Sequence, residues 1–207
     1  MLPIVFVVIF ATVVLYGLTA PLLARALGVA GQDRGLVLVV GGDTWARQLA
    51  SAIREAGADV QMWIGAAADR DAARAAGLEA DRGSMLLDAV SREAELEEVT
   101  DALLVTRSDD FNALAAAELR TVLGHGHVLR VAPDPEAADL FLPETDAAVI
   151  GTAETTSEVL RGRVAAGGAI VLAGEAQSAD VPLLSVSEDG RVSPGASAGA
   201  ATVVLRG

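Results

Sequence analysis

The stretch Leu36–Gly57, LVLVVGGDTWARQLASAIREAG, decides the fold. It opens with five consecutive apolar residues, Leu36–Val40, with no polar residue alternating among them. A run of that length and character suits a parallel strand buried on both faces. Gly41-Gly42-Asp43 breaks the run. Thr44–Ala56 then carries Trp45, Leu49 and Ile53, with Ala46 and Ala50, at the spacing of one helix face. Gly57 stands where a helix C-terminal cap belongs. Strand, glycine turn and amphipathic helix in that order open a βαβ unit.

Downstream the alternation continues. Strands are expected at Asp59–Ile64, Leu78–Ala80, Ala102–Thr106 and His127–Val131. Helices are expected at Asp69–Ala76, closed by Gly77, at Met85–Arg92, and at Asp109–Leu123. In the last of these Phe111, Leu114, Ala115, Leu119 and Val122 fall on one apolar face. An acidic segment, Glu93–Val99, separates two of the units, and Pro133-Asp134-Pro135 ends the rhythm. The class is α/β: a Rossmann-like, doubly wound parallel sheet over residues 36–145. From residue 146 the pattern changes to a helix at Ala153–Ala165 and short strands at Ala169–Leu172, Leu183–Ser187, Val192 and Thr202–Leu205. Asp189-Gly190 signals a hairpin. Residues 146–207 thus form a small α+β appendage, and no internal repeat is present.

Upstream, Met1–Ala24 holds no charged side chain. Pro3–Ala24 alone would make about 33 Å of helix at ~1.5 Å per residue, enough to cross a hydrocarbon core of ~30 Å. Residues 1–27 are therefore expected to be one transmembrane helix, followed by a Gly-containing linker over 28–35. Arg25 and Arg34 put the C-terminal side in the cytoplasm under the positive-inside rule, which makes the chain a single-pass protein of the cell membrane. A secretory signal ending at the A-x-A of Ala24-Arg25-Ala26 competes with this. Nothing basic precedes the apolar run, however, and the run exceeds the usual apolar core of a signal.

Composition narrows the functions. Fifteen basic residues, all Arg, stand against 28 acidic ones for a formal charge of -13. That balance argues against a nucleic-acid partner, which needs clustered basic side chains. The absence of Cys excludes disulfides, thiolate metal sites and a Cys nucleophile. The two histidines, His125 and His127, flank Gly126 at a strand entry and suit a loop pair better than a metal site. No metal ligand set and no catalytic set is expected; G-x-S-x-G, H-E-x-x-H and the P-loop are all missing.

The turn after the first strand is the natural ligand position of a doubly wound sheet. The dinucleotide fingerprint is G-x-G-x-x-G, and Gly41-Gly42-Asp43-Thr44-Trp45-Ala46 departs from it. Asp43 replaces the second glycine, putting a Cβ and a negative charge where a pyrophosphate would lie. Ala46 at the third place is tolerable. Asp43 alternatively reads as a helix N-cap that accepts from the same amides a phosphate would use. The ribose-binding acid is also missing, since the second strand ends Met62-Trp63-Ile64-Gly65; Asp69 and Asp71 come late and fit a helix start. The cofactor is therefore unknown, with NAD or another nucleotide left open. Thr106–Asn112 lies at the C-terminal edge of the fourth strand, the correct edge for a crevice, although Asp109 also reads as a helix cap.

These residues resemble the C-terminal end of bacterial monovalent cation:proton antiporters, whose last membrane helix is followed by an RCK (TrkA-N)-like domain. The likeness runs through VVLYGLTAP at Val13–Pro21, Leu27-Gly28 and GGDTWARQLA at Gly41–Ala50. It continues through Ala56-Gly57, Ala76-Gly77 and the T-x-x-D-x-x-N of Thr106, Asp109 and Asn112. Val181–Leu184 and Asp189–Val192 complete it. It covers roughly residues 3–207. The family's Gly-Asp after the third strand is Gly83-Ser84 here, and the ribose acid is absent. The resemblance implies a cytoplasmic regulatory domain that gates or assembles a transporter. Its crevice would be formed by Gly41, Gly42, Asp43, Thr44, Trp45, Ala46, Thr106, Asp109 and Asn112. Its partners would be the membrane, the antiporter transport core or full-length subunit, and a second copy in a homodimer. One helix without a carboxylate cannot transport ions, so the chain is expected to be a fragment of a longer frame or a truncated paralogue. Two alternatives stand beside this. One is a degenerate Rossmann module with a structural or assembly role. The other is a nucleotide-dependent oxidoreductase, disfavoured because the chain has no Lys and its single Tyr lies in the membrane segment.

Overall fold

The structure, a computed structural model, describes residues 9–10, 12–13, 35–82, 96, 98–134, 147–173 and 180–207. Residues 1–34 and 35–207 form two separate compact units. The expected membrane helix over 1–27 lies almost wholly outside the described residues. Within it Ile9, Phe10, Thr12 and Val13 are helical and exposed. Among the described residues no helix is long and apolar enough to cross a membrane. The helix expected at 85–92 and most of the acidic segment after it also lie outside the described residues.

In the second unit β1 (Leu36–Val40), β2 (Asp59–Trp63), β3 (Glu79–Asp81), β4 (Val99–Leu104), β5 (Val128–Arg130) and β6 (Ala148–Val149) form one sheet. Its order is β3-β2-β1-β4-β5-β6, and every pairing is parallel. The chain winds outward from β1 to β3, then returns to β1's other side to lay down β4. This is the doubly wound arrangement the apolar run at Leu36 foretold. Helices α1 (Thr44–Glu55) and α2 (Ala67–Ala75) cover one face and α3 (Asp109–Leu123) the other. Alternation along β1 shows the division: Val37 and Val39 join the core containing Trp45, Leu49 and Ile53, whereas Leu38 and Val40 join Ala115, Ala116 and Leu119. Burying each of Trp45, Leu49 and Ile53 contributes roughly 1.5–3 kcal/mol.

A second sheet, in the order β7-β10-β8-β9, is antiparallel and built from β7 (Ala169–Ala173), β8 (Val181–Val186), β9 (Val192–Pro194) and β10 (Ala201–Arg206). Its inner residues Leu183, Leu184, Val203 and Leu205 share the α1-side core. Gln48 of α1 accepts a hydrogen bond from the edge amide of Ile170 at 3.0 Å. The β8–β9 turn reaches the N-terminal edge of the first sheet, where Gly35 N–H donates to Asp189 O at 2.9 Å. The appendage is thus stapled to the Rossmann part through core, helix and sheet edge.

Several boundaries differ from expectation for visible reasons. The strand expected at Ala102–Thr106 spans Val99–Leu104, and Asp101, within it, is 1% exposed and satisfied there. Its Oδ2 accepts from Val192 N–H at 3.2 Å, and its Oδ1 lies 3.0 Å from His127 Nδ1. The helix expected from Asp69 starts at Ala67, where Arg70 donates to the carbonyls of Ile64 and Gly65 at 2.8 and 2.7 Å. The helix expected from Ala153 starts at Ser157 as α4 (Ser157–Ala165), because Thr156 caps it, its Oγ1 accepting from Val159 N–H at 3.3 Å. The sixth parallel strand, at Ala148–Val149, lies past residue 145, where the sequence closed the first domain. The apolar face drawn for α3 is also corrected. Ala113, Ala115, Ala116 and Leu119 face the sheet, while Leu114 is 61% exposed and Val122 40%. Small side chains let the helix approach closely, which turns the larger ones outward.

Candidate functional site

The crevice forms where the two halves of the sheet diverge, at the C-terminal ends of β1 and β4. The cavity there has a volume of about 300 Å3. Its apolar wall is Val40, Trp63, Ile64, Val105 and Phe111; its polar groups are Asp43, Asp69, Thr106 and Arg107.

The glycine turn belongs to this wall for steric reasons. Gly41 has φ +150°, and a Cβ there would stand 2.6 Å from Val105 O. A Cβ on Gly42 would stand 2.6 Å from Ile64 Cγ2 and 2.9 Å from Asp69 Cβ. Both contacts are closer than carbon atoms tolerate, so glycine is what lets the turn nest between β2 and β4.

Asp43 departs from the N-cap expectation. It occupies the N-cap position of α1 with extended backbone, yet its side chain makes no cap hydrogen bond. It turns instead to Arg107, on the loop after β4. Arg107 Nε donates to Oδ1 at 2.8 Å and to Oδ2 at 2.9 Å, and Nη2 donates to Oδ1 as well. This hydrogen bond, with the attraction of the Asp43 charge, holds the Arg107 guanidinium above its ordinary pKa. The Asp43 side chain is 10% exposed and that of Arg107 66%. A pair so open on one side is screened by solvent and contributes about 1 kcal/mol or less. The N-cap reading of Asp43 is therefore corrected: Arg107 competes successfully for its carboxylate.

Asp109 is likewise not the cap of its helix. Ser108 is, with Oγ accepting from Phe111 N–H at 3.2 Å, while Asp109 Oδ2 accepts from Asp134 N–H at 2.8 Å. Asn112 is 1% exposed. Its Oδ1 accepts from Thr106 N–H at 3.2 Å and from Thr106 Oγ1 at 2.7 Å, and its Nδ2 donates to Thr106 O at 3.1 Å. The T-x-x-D-x-x-N pattern thus acts as a clamp that fixes the loop carrying Arg107.

The sequence-derived residues separate into groups. Gly41, Gly42, Asp43 and Thr106 line the crevice. Thr44 and Trp45 line a neighbouring cavity. Ala46 is buried in the core. Asp109 and Asn112 shape the loop. The residues that sequence reasoning missed are Asp69, Arg107, Trp63 and Phe111. Asp69 was set aside as too late for the strand end, but the first turn of α2 brings it against Gly42. There it pairs with Arg47 at 3.7 Å. The signal for Arg107 was its place immediately after Thr106 on the ligand edge.

A dinucleotide, the group this fold implies, does not fit the crevice as built. The Asp43–Arg107 pair joins the β1 and β4 turns at the first turn, where a doubly wound sheet holds a pyrophosphate. A phosphate there would meet a carboxylate already holding the nearest cation. Among the described residues no group of three or more acidic or histidine side chains could hold a metal ion.

No protein-family model matches the sequence, and comparison with curated proteins returns no match. Solved structures are similar in fold, two of them as follows. One is the NAD(P)-binding domain of an exopolyphosphatase-related protein from Archaeoglobus fulgidus. It is 18% identical with a TM-score of 0.47, and the match covers 63% of this chain and 97% of that one. The other is the GsuK RCK domain, 12% identical with a TM-score of 0.46, covering 83% of this chain. This chain spans 44% of the length of that second structure. The doubly wound fold itself stands on the observed strand order.

Proposed function

We propose that the chain is a ligand-responsive regulatory module of a monovalent cation:proton antiporter. In this reading residues 1–27 tether it to the cell membrane, the α/β unit lies on the cytoplasmic side, and the module binds without turning its ligand over. The observation that carries the ligand-responsive part is the crevice, a cavity at the switch point of a doubly wound sheet. Among the described residues its lining holds no Ser, Cys, Lys, His or Tyr; its one hydroxyl, Thr106, is bound to Asn112, and its two carboxylates, Asp43 and Asp69, are paired with Arg107 and Arg47. Such a lining suits recognition better than acid–base or nucleophilic chemistry. The antiporter context rests on the sequence resemblance. The Asp43–Arg107 pair favours a ligand smaller than a dinucleotide.

A melting-shift screen of residues 35–207 with NAD, NADP, ATP, AMP and cyclic di-AMP tests this. A ligand at a hundred times its Kd adds about 2.7 kcal/mol of stability. The dinucleotides NAD, NADP and cyclic di-AMP should leave the midpoint unchanged, and AMP or ATP should raise it. No shift with any of them would favour the structural or assembly module instead.

A further inference from the structure

Beside the crevice lies a second cavity, of about 210 Å3. Asp43 and Arg107 are the two residues that line both, so their ion pair is the partition between them. On the far side stand Thr44, Trp45 and Arg161. Arg161, on the outer part of α4, is exposed and has no ion-pair partner among the described residues. The indole Nε1–H of Trp45 is buried without a hydrogen-bond partner among them. The cavity lining therefore carries two arginines and the Thr44 hydroxyl against a single carboxylate. Such a lining is net positive in a chain whose formal charge is -13. A cationic pocket in an acidic protein is complementary to an anion.

We propose that this second cavity is an anion subsite for a phosphate monoester group, held between Arg107 and Arg161 and gated by Asp43. The proposal deepens, and rests on, the ligand-responsive reading above. Asp43 and the incoming anion compete for one cation. Asp43 holds the Nε and Nη2 edge of Arg107, so an anion that takes that edge displaces it, and the exposed Arg107 side chain is free to make that move. Departure removes the partition and joins the two cavities, so one ligand can place its charge in the second and its body against Trp63 and Phe111 in the first. Asp43, released, stands at the N-cap of α1 and can accept from the first-turn amides. The gate thus has two states, and the anion shifts their balance because it binds only the open one.

The chain carries two tryptophans, one lining each cavity. In a Trp63→Phe background, Trp45 alone reports on the second cavity. Inorganic phosphate would be titrated at constant ionic strength into the full chain in detergent micelles, with Trp45 emission as readout. Asp43→Asn should tighten phosphate about fivefold, the scale on which a screened ion pair competes for its cation. Arg161→Ala should weaken it about tenfold. Arg163→Ala, which removes the same charge from the same helix outside the cavity, should change it less than twofold. Equal effects of Arg161→Ala and Arg163→Ala would overturn the subsite by reducing it to general charge, and so would a weaker phosphate response in Asp43→Asn. If the phosphate response follows this pattern while cation exchange ignores phosphate, the subsite stands and the regulatory reading fails. If exchange responds to a ligand but Trp45 and Arg161 do not, the subsite fails alone.

Discussion

Asp101 joins the two sheets, and replacing it tests how they are held. Its carboxylate is 1% exposed, within β4, and it serves two partners from other elements. Asp101→Ala strands the buried amide of Val192, which costs about 1–3 kcal/mol. It also removes the acceptor facing His127 Nδ1, a smaller loss because the His127 side chain is 33% exposed and can turn to water. Loss of a buried charge returns part of the total, which leaves a net destabilisation of about 2 kcal/mol. For a unit of this size each kcal/mol moves the midpoint by about 2–4 °C. Thermal unfolding of residues 35–207, followed by circular dichroism, should therefore show Asp101→Ala melting about 4–8 °C below wild type. Asp101→Asn keeps a carbonyl for Val192 and should lose less than half as much. A midpoint for Asp101→Ala within 1 °C of wild type would refute the claim that this carboxylate staples the hairpin to the sheet. Equal losses in Ala and Asn would show that charge, not the Val192 hydrogen bond, is what matters.

Other outcomes follow from single contacts. Gly41→Ala places a Cβ against Val105 O at a positive φ and should lower stability by about 2–3 kcal/mol in urea titration. Asn112→Ala leaves both Thr106 backbone groups without their partner; it should cost about 2–3 kcal/mol and speed amide exchange at residues 106–108. Leu49→Ala opens a cavity in the α1-side core and should cost about 2–5 kcal/mol. The Asp189 carboxyl titrates below the ordinary carboxylate range, chiefly through its hydrogen bond from Ser187. Its contribution to stability is therefore present above the unfolded pKa and lost as pH falls through the folded one. Ser187→Ala should return its NMR-monitored pKa toward the ordinary value.

The fold was legible where side-chain pattern and burial agree. Leu36–Val40 is apolar at every position because both faces of β1 are covered, and Trp45, Leu49 and Ile53 lie on one stripe because one face of α1 is. The pattern failed where polar residues are buried with partners from distant sequence. Asp101 hid the start of β4 because Val192 is 91 residues away. Alanine packing misled the reading of α3, since Ala113 and Ala116 bury as completely as leucines while Leu114 faces outward. The site was half legible. Gly41, Gly42 and Asp43 announced the turn by their types. The partner of Asp43 did not, because Arg107 reaches it across 64 residues and no local spacing encodes that meeting. Asp69 was hidden in a similar way: it comes too late in sequence for the strand end, but a helix turn brings it back in space.

On the proposed reading the chain regulates monovalent cation:proton exchange from the cytoplasmic side of a membrane. Everted vesicles would be prepared from the native organism with the gene intact and with the segment for residues 35–207 removed. A pH-sensitive dye would then follow collapse of the proton gradient on addition of Na+ or K+. The cation concentration for half-maximal exchange should change once the segment is gone. Identical exchange curves for both ions would contradict it.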